Sequence, residues 1–233
     1  MRLANLIGSR FLRHDTPRVS APPGVCVKNG NRNIIVATSM RSGTHLVIDL
    51  ILNSFPAYRR APLYLNLDRL PSLGTGSQPD LRDMGYVIKT HYPANRRRQS
   101  PDRVAELARG SLVIIVRRPL EDIRKSLSRW IAEEPDHKLL RKQLDNLDAE
   151  VAEFHDFWAG LSPYVIDYGD LFDVDKNRAI VIDIAASLGI AAPEGLTSVV
   201  PLSNRYRVYL NKAMTRLIGH RAPRIDTTIR AMR

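Results

Sequence analysis

Four short runs of β-branched and aliphatic residues punctuate the chain, at 34–37, 86–89, 112–116 and 164–168. Continuous apolar runs of this length, rather than alternating ones, predict strands buried on both faces, as in a mostly parallel sheet. Between them the apolar positions shift to helical spacing. Helices are predicted over 46–52 and 120–131, and Leu140, Leu144, Leu147, Val151, Phe154 and Trp158, four and three apart, predict one long helix whose stripe packs in the core. A further helix is predicted over 178–188, stopped by Gly189, and another over about 206–218, stopped by Gly219. Strands alternating with helices imply βαβ units and a three-layer α/β/α architecture around the sheet. Ligands of such sheets collect outside the carboxyl ends of the strands, so the residues directly after each strand are where chemistry is expected.

After the first strand comes Thr38-Ser39-Met40-Arg41-Ser42-Gly43-Thr44-His45, and an apolar helix begins at Leu46. A strand, a tight polar loop and a helix start in succession make an anion site: backbone N–H groups converge, the helix dipole is positive there, and Arg41, Ser42 and Thr44 add donors. The loop departs from the ATP- and GTP-binding pattern G-x-x-x-x-G-K-[ST], because Thr38 replaces the first glycine and Thr44-His45 follow Gly43. On its own it also fits an ordinary turn capped by hydroxyls.

It is not on its own. The second strand runs into Lys89-Thr90-His91-Tyr92-Pro93, and the third into Arg117-Arg118-Pro119, followed by a helix bearing Asp122 and Ser126. With these three segments in order, the chain resembles the sulfotransferases, whose phosphosulfate loop reads like K/R-S-G-T, whose second motif reads like K-T-H-x-P, and whose third is R-x-P followed by a helical serine. Tyr168-Gly169-Asp170-Leu171 is similar to a fourth family segment, Y-E-D-L. The resemblance spans about 34–188 and implies a P-loop-NTPase-like fold. It also implies transfer of a sulfonate group from 3′-phosphoadenosine 5′-phosphosulfate to a hydroxyl or amine, leaving adenosine 3′,5′-bisphosphate, with no metal.

Carried onto this sequence, the resemblance implies that Arg41, Ser42, Gly43, Thr44 and His45 cradle the 5′-phosphosulfate. Arg117 and Ser126 would hold the 3′-phosphate, and Tyr168 would lie beside the adenine. His91 would be the general base, since a neutral imidazole accepts a proton near physiological pH. Lys89 and Arg41 would offset charge on the bridging oxygen. Three departures leave alternatives open. The family's step from motif arginine to serine is about eight residues, which fits Arg118 to Ser126, whereas Arg117 to Ser126 is nine. Leu46 stands where many members have an adenine-stacking tryptophan, and no C-terminal R-K-G segment is present, although Arg205, Arg207 and Lys212 lie in a suitable basic region.

Composition narrows the setting. With 233 residues and 44% hydrophobic content, the chain fits one substantial core: a basic arm at 1–30 and a single domain at 31–233. Its formal net charge of +11 calls for an anionic partner. The single Cys26 excludes an intramolecular disulfide and fits a reducing compartment, and no apolar run approaches the ~20 residues that span a bilayer, so a cytoplasmic location is expected. Leu3, Ile7 and Phe11 at helical spacing, with Arg2, Arg10 and Arg13, fit either a frayed basic arm or a peripheral membrane contact.

Acceptor specificity is expected from 57–83 and from loops such as 131–138; tyrosines and arginines there suit a carbohydrate, a lipid-linked glycan or a small phenol. Arg96-Arg97-Arg98 is either a guide for an anionic substrate or a solvated loop. Two other classes stay open. A basic nucleic-acid-binding protein fits the charge, but no binding motif is present and 6% aromatic content offers few stacking platforms, so no specific nucleic acid is expected. A nucleotide or small-molecule kinase would have to use a degenerate phosphate loop.

Overall fold

The computed structural model describes residues 31–58, 64–69, 81–82, 84–94, 99–133 and 138–193. The arm at 1–30, the Arg96-Arg97-Arg98 cluster, the basic region at 205–212 and the helix expected over 206–218 lie outside the described residues, as does much of 57–83.

Five strands, β1 (Ile34–Ala37), β2 (Leu65–Asn66), β3 (Val87–Thr90), β4 (Leu112–Arg117) and β5 (Tyr164–Asp167), form one sheet in the order β2-β3-β1-β4-β5. Every pairing is parallel. The helices are α1 (Thr44–Ser54), α2 (Pro101–Arg109), α3 (Leu120–Glu133), α4 (Lys138–Asp145), α5 (Leu147–Ala159) and α6 (Val174–Leu188).

Residue alternation along the strands sorts them into two cores. Ile34, Val36, Ile114, Val116 and Ile166 face α1 and α6. Ile35, Ala37, Ile88, Val113 and Ile115 face α2 and α5. This is the three-layer α/β/α arrangement expected. A third cluster, around Ile123, Leu127 and Leu147, packs α3 against α5 and reaches Met40 in the loop after β1.

The stripe predicted as one long helix is divided between α4 and α5. Asn146 interrupts it with φ −106° and ψ 14°, and its side chain donates to the Lys142 carbonyl at 2.9 Å. An asparagine offers the backbone local bonds that compete with helix, and periodicity does not register such a break. The stripe is core nonetheless, but in two places: Leu147 belongs to the third cluster, whereas Phe154 and Trp158 lie under the sheet.

Two elements went unforeseen. β2 is only two residues long, and α2 is announced by Ser100, whose side chain caps the Arg103 N–H, followed by Pro101 in the first turn.

Sheet order determines where a ligand can sit. The chain leaves β1 toward the β2 edge and leaves β4 toward the β5 edge, so a crevice opens between the loops that follow β1 and β4.

Candidate active site

The loop after β1 has the local geometry of an anion cradle. Arg41 and Gly43 both take left-handed backbone conformations, with φ 65° and 96°, and alternation of this kind turns successive N–H groups to one side. The Thr38 and Thr44 hydroxyls pair at 2.5 Å, as do those of Ser39 and Ser42. Gly43 caps α1 with no side-chain hydrogen bond, and the first turn carries no acid. The positive end of α1 is therefore open to an anion.

Gly43 is required twice over. Its φ disfavours any residue with a side chain, and a Cβ there would come within 2.9 Å of the Tyr168 ring. Tyr168 begins the 3₁₀ turn Tyr168–Phe172 after β5 and also meets Phe172 edge-on at 5.2 Å.

Across the crevice the two consecutive arginines part company. β4 runs one residue further than the sequence suggested, so Arg117 is still in the sheet, registered with Asp167. It shares a face with Val113 and Ile115, opposite α1, and forms a fork with Asp167: Nε to Oδ1 at 2.7 Å and Nη2 to Oδ2 at 3.0 Å. The hydrogen bond from Arg117 holds Asp167 below the usual carboxylate range. Both side chains are well exposed, and such a pair contributes little to stability.

Arg118 is the residue that leaves the sheet toward the loop. Its Nη1 donates to the Arg41 carbonyl at 2.6 Å, its guanidinium carbon lies 3.9 Å from the Tyr168 ring centre, and its buried Nε has no hydrogen-bond partner. An unbonded guanidinium N–H in a buried position is costly unless a ligand completes it.

Arg41 and Ser126 meet here as well. Arg41 Nε donates to Ser126 Oγ at 3.1 Å, and its guanidinium stands 5.3 Å from the Trp130 ring centre. The left-handed backbone at Arg41 thus directs its side chain toward α3, beside Ser126. The expected role at the bridging oxygen gains no support from this geometry.

On the other side of the loop, His91 follows β3 directly. Its Nδ1 donates to the Thr38 carbonyl at 2.8 Å, which leaves the Nε2 lone pair available. His91 is enclosed by its neighbours but keeps some surface at the solvent. Enclosure first, and the Lys89 ammonium second, push its pKa from 6.5 down to about 4; Asp68 and the Thr38 hydrogen bond act in the opposite direction, and His45 lowers it slightly further.

Lys89 shares a strand face with Val87, on the α1 side of the sheet. His45 is in the first turn of α1, its Nε2 3.4 Å from the Tyr64 hydroxyl. The tryptophan of α5 anchors the same corner: Trp158 Nε1 donates to the Tyr92 carbonyl at 2.8 Å.

The structure therefore brings Ser42, Gly43, Thr44, His45, Lys89 and His91 around the loop, and Arg41, Ser126 and Tyr168 around Arg118. It leaves Arg117 outside both groups. Sequence reasoning missed Asp68 and Trp130; Tyr64 lies in the stretch from which acceptor contacts are expected. Asp68 had no local signal, because β2 is too short for alternation to register, and Trp130 had none beyond its place on α3.

Neither a known family model nor a curated protein matches the chain. Among solved structures it is similar to the crystal structure of a sulfotransferase from Alicyclobacillus acidocaldarius, at 15% identity over 81% of this chain and 96% of that one, with a TM-score of 0.39. It is also similar to retinol dehydratase in complex with retinol and PAP, at 13% identity over 80% of each chain, TM-score 0.28. The complex of retinol dehydratase with androsterone and inactive cofactor PAP gives 12% identity over 80% of this chain and 78% of that one, TM-score 0.27. At such identities and TM-scores the likeness is too distant to assign an activity, and the site's own chemistry has to do so.

Proposed function

We propose that the protein is a sulfotransferase using 3′-phosphoadenosine 5′-phosphosulfate as donor. The observation that carries this reading is the pairing of two anion-receptive places at the ends of adjacent strands: the open start of α1 behind β1, and the Arg118, Arg41 and Ser126 cluster behind β4. A donor with phosphate groups at both its 5′ and 3′ positions needs two such places; ATP needs one long phosphate track with a magnesium ion.

The loop from Ser42 to Thr44 and the first turn of α1 would hold the 5′-phosphosulfate. Arg118 takes the 3′-phosphate role with Ser126 and Arg41, because its buried Nε lacks a partner while Arg117 already has Asp167. The Tyr168 ring, with Arg118 stacked on it, offers the adenine a planar edge.

In the transfer, an acceptor oxygen or nitrogen forms a bond to sulfur as the bond from sulfur to the 5′-phosphate oxygen breaks. The acceptor's proton passes to His91 Nε2, and the electron pair of the broken bond leaves on adenosine 3′,5′-bisphosphate. The Lys89 ammonium and the α1 N–H groups offset the charge that grows on that oxygen. A neutral His91 with Nδ1 tied to Thr38 is the form that this step requires.

The test is incubation with donor radiolabelled in its sulfonate, together with sugar, lipid-linked glycan, phenol and amine acceptors. Label moving to an acceptor with equal release of the bisphosphate supports the reading. Label that stays on the donor across all acceptors, in protein that binds the donor, contradicts it.

A further inference from the structure

We propose that Asp68 is the positioning residue for His91, presenting the imidazole and fixing which ring nitrogen faces the site of transfer. The inference deepens the reading of His91 as proton acceptor and rests on it.

β2 pairs with β3 only at Leu65↔Ile88 and Asn66↔Lys89, and then leaves the ladder in the 3₁₀ turn Leu67–Arg69. Had the ladder continued, main-chain carbonyls would have met the N–H groups beyond Lys89. The Asp68 carboxylate takes their place. Both its oxygens accept from the His91 main-chain N–H at 3.0 Å, and Oδ1 accepts from the Thr90 hydroxyl at 2.8 Å. The Thr90 oxygen in turn accepts from the Tyr92 N–H at 3.0 Å. The carboxylate thus ties Thr90 and His91 directly and Tyr92 through the Thr90 hydroxyl, and the turn bearing it is itself held by the Asp68 N–H donating to Asn66 Oδ1 at 3.1 Å.

With the His91 carbonyl accepting from the Ala94 N–H at 3.0 Å, its backbone is fixed on both sides. Only the side-chain rotation remains, and the bond from Nδ1 to the Thr38 carbonyl ends it.

Accepting from a main-chain N–H and a hydroxyl needs only a neutral acceptor, which an asparagine would supply. The charge of Asp68 is explained by the groups that face His91. Lys89 on β3 and His45 on α1 both oppose protonation of the ring, and Asp68, from the turn after β2, is the opposing negative charge. It keeps the imidazole basic enough to take a proton without giving up the neutral form at rest. The residue comes from within 57–83, the stretch from which acceptor contacts are expected.

The experiment is long-range proton–nitrogen NMR of the histidine rings in the full chain, with the His91→Gln spectrum assigning His91 among the six histidines. Wild type is expected to show a single tautomer, protonated at Nδ1. Asp68→Ala should mix the tautomers. Asp68→Asn, which keeps an acceptor but loses the charge, should retain the wild-type tautomer and protonate at a lower pH. Ring signals and titration unchanged in both variants would overturn the proposal; if Asp68→Ala does not fold, an unchanged titration in Asp68→Asn does so alone. Adenosine 3′,5′-bisphosphate titrated into the same samples separates the two readings. Wild type that binds none removes the sulfonate-transfer reading, while the ring signals still decide the role of Asp68.

Discussion

Arg118 lies with its guanidinium carbon 3.9 Å from the Tyr168 ring centre and its Nη1 2.6 Å from the Arg41 carbonyl, so one side chain joins the β4 end of the crevice to the loop behind β1. Tyr168 also touches Gly43 closely enough that no Cβ fits between them. The anion loop, the arginine and the aromatic ring therefore form one contact unit, and a change at any of them should be felt at the others.

The two adjacent arginines should separate cleanly in binding. Arg118→Ala is expected to weaken adenosine 3′,5′-bisphosphate binding roughly 10- to 100-fold, the range for losing charge-assisted hydrogen bonds worth about 1.5–3 kcal/mol. Arg117→Ala removes an exposed pair with Asp167 and should change affinity by no more than about twofold. Calorimetric titration of both variants checks this, and the opposite ranking would return the 3′-phosphate to Arg117.

Gly43→Ala should destabilise the fold by roughly 2–4 kcal/mol, combining left-handed backbone strain with overpacking against Tyr168. Denaturant unfolding measures it. Adding Tyr168→Ala should relieve the packing part and leave the strain, so the double variant is expected to lose less stability than the two single losses added together.

His91 gives a pH signature with a definite sign. Its folded pKa, about 4, lies below the unfolded value of 6.5, so the unfolded chain binds the proton first as pH falls. Its contribution to stability is fully present above about pH 6.5 and is lost as pH drops through 4, on the order of 3 kcal/mol in total. Unfolding of wild type and His91→Gln between pH 4 and 7 checks this: their stability curves should converge toward the acid end. Turnover governed by this group should hold level through neutral pH and fall only as pH nears about 4. A turnover loss centred near pH 6.5 would contradict the enclosed, Lys89-facing environment.

How much of this was legible in the sequence depends on the range of the forces involved. Apolar runs revealed β1, β3 and β4 because burial on both faces leaves a local imprint, β5 showed through its β-branched residues although Val165 is exposed at the sheet edge, and Gly189 marked a helix end because its φ of 67° suits glycine. The order of polar segments after the strands revealed the loop, Lys89 with His91, and Ser126. Which of Arg117 and Arg118 stays in the sheet was not a local matter. It turned on β4 extending by one residue, set by pairing with Asp167 fifty residues away. Asp68 was hidden for the same reason: its meaning lies in a ladder that β2 abandons after two residues, and no periodicity can appear in so short a strand.

The most direct measurement is calorimetric titration of the wild-type protein with adenosine 3′,5′-bisphosphate, with AMP and magnesium-ATP as controls. Selective micromolar-range binding of the bisphosphate is the predicted result, because only that nucleotide supplies an anion to both the start of α1 and the Arg118 cluster. Folded protein that ignores the bisphosphate, or that prefers magnesium-ATP, would contradict the two-phosphate site and the sulfonate-transfer reading built on it.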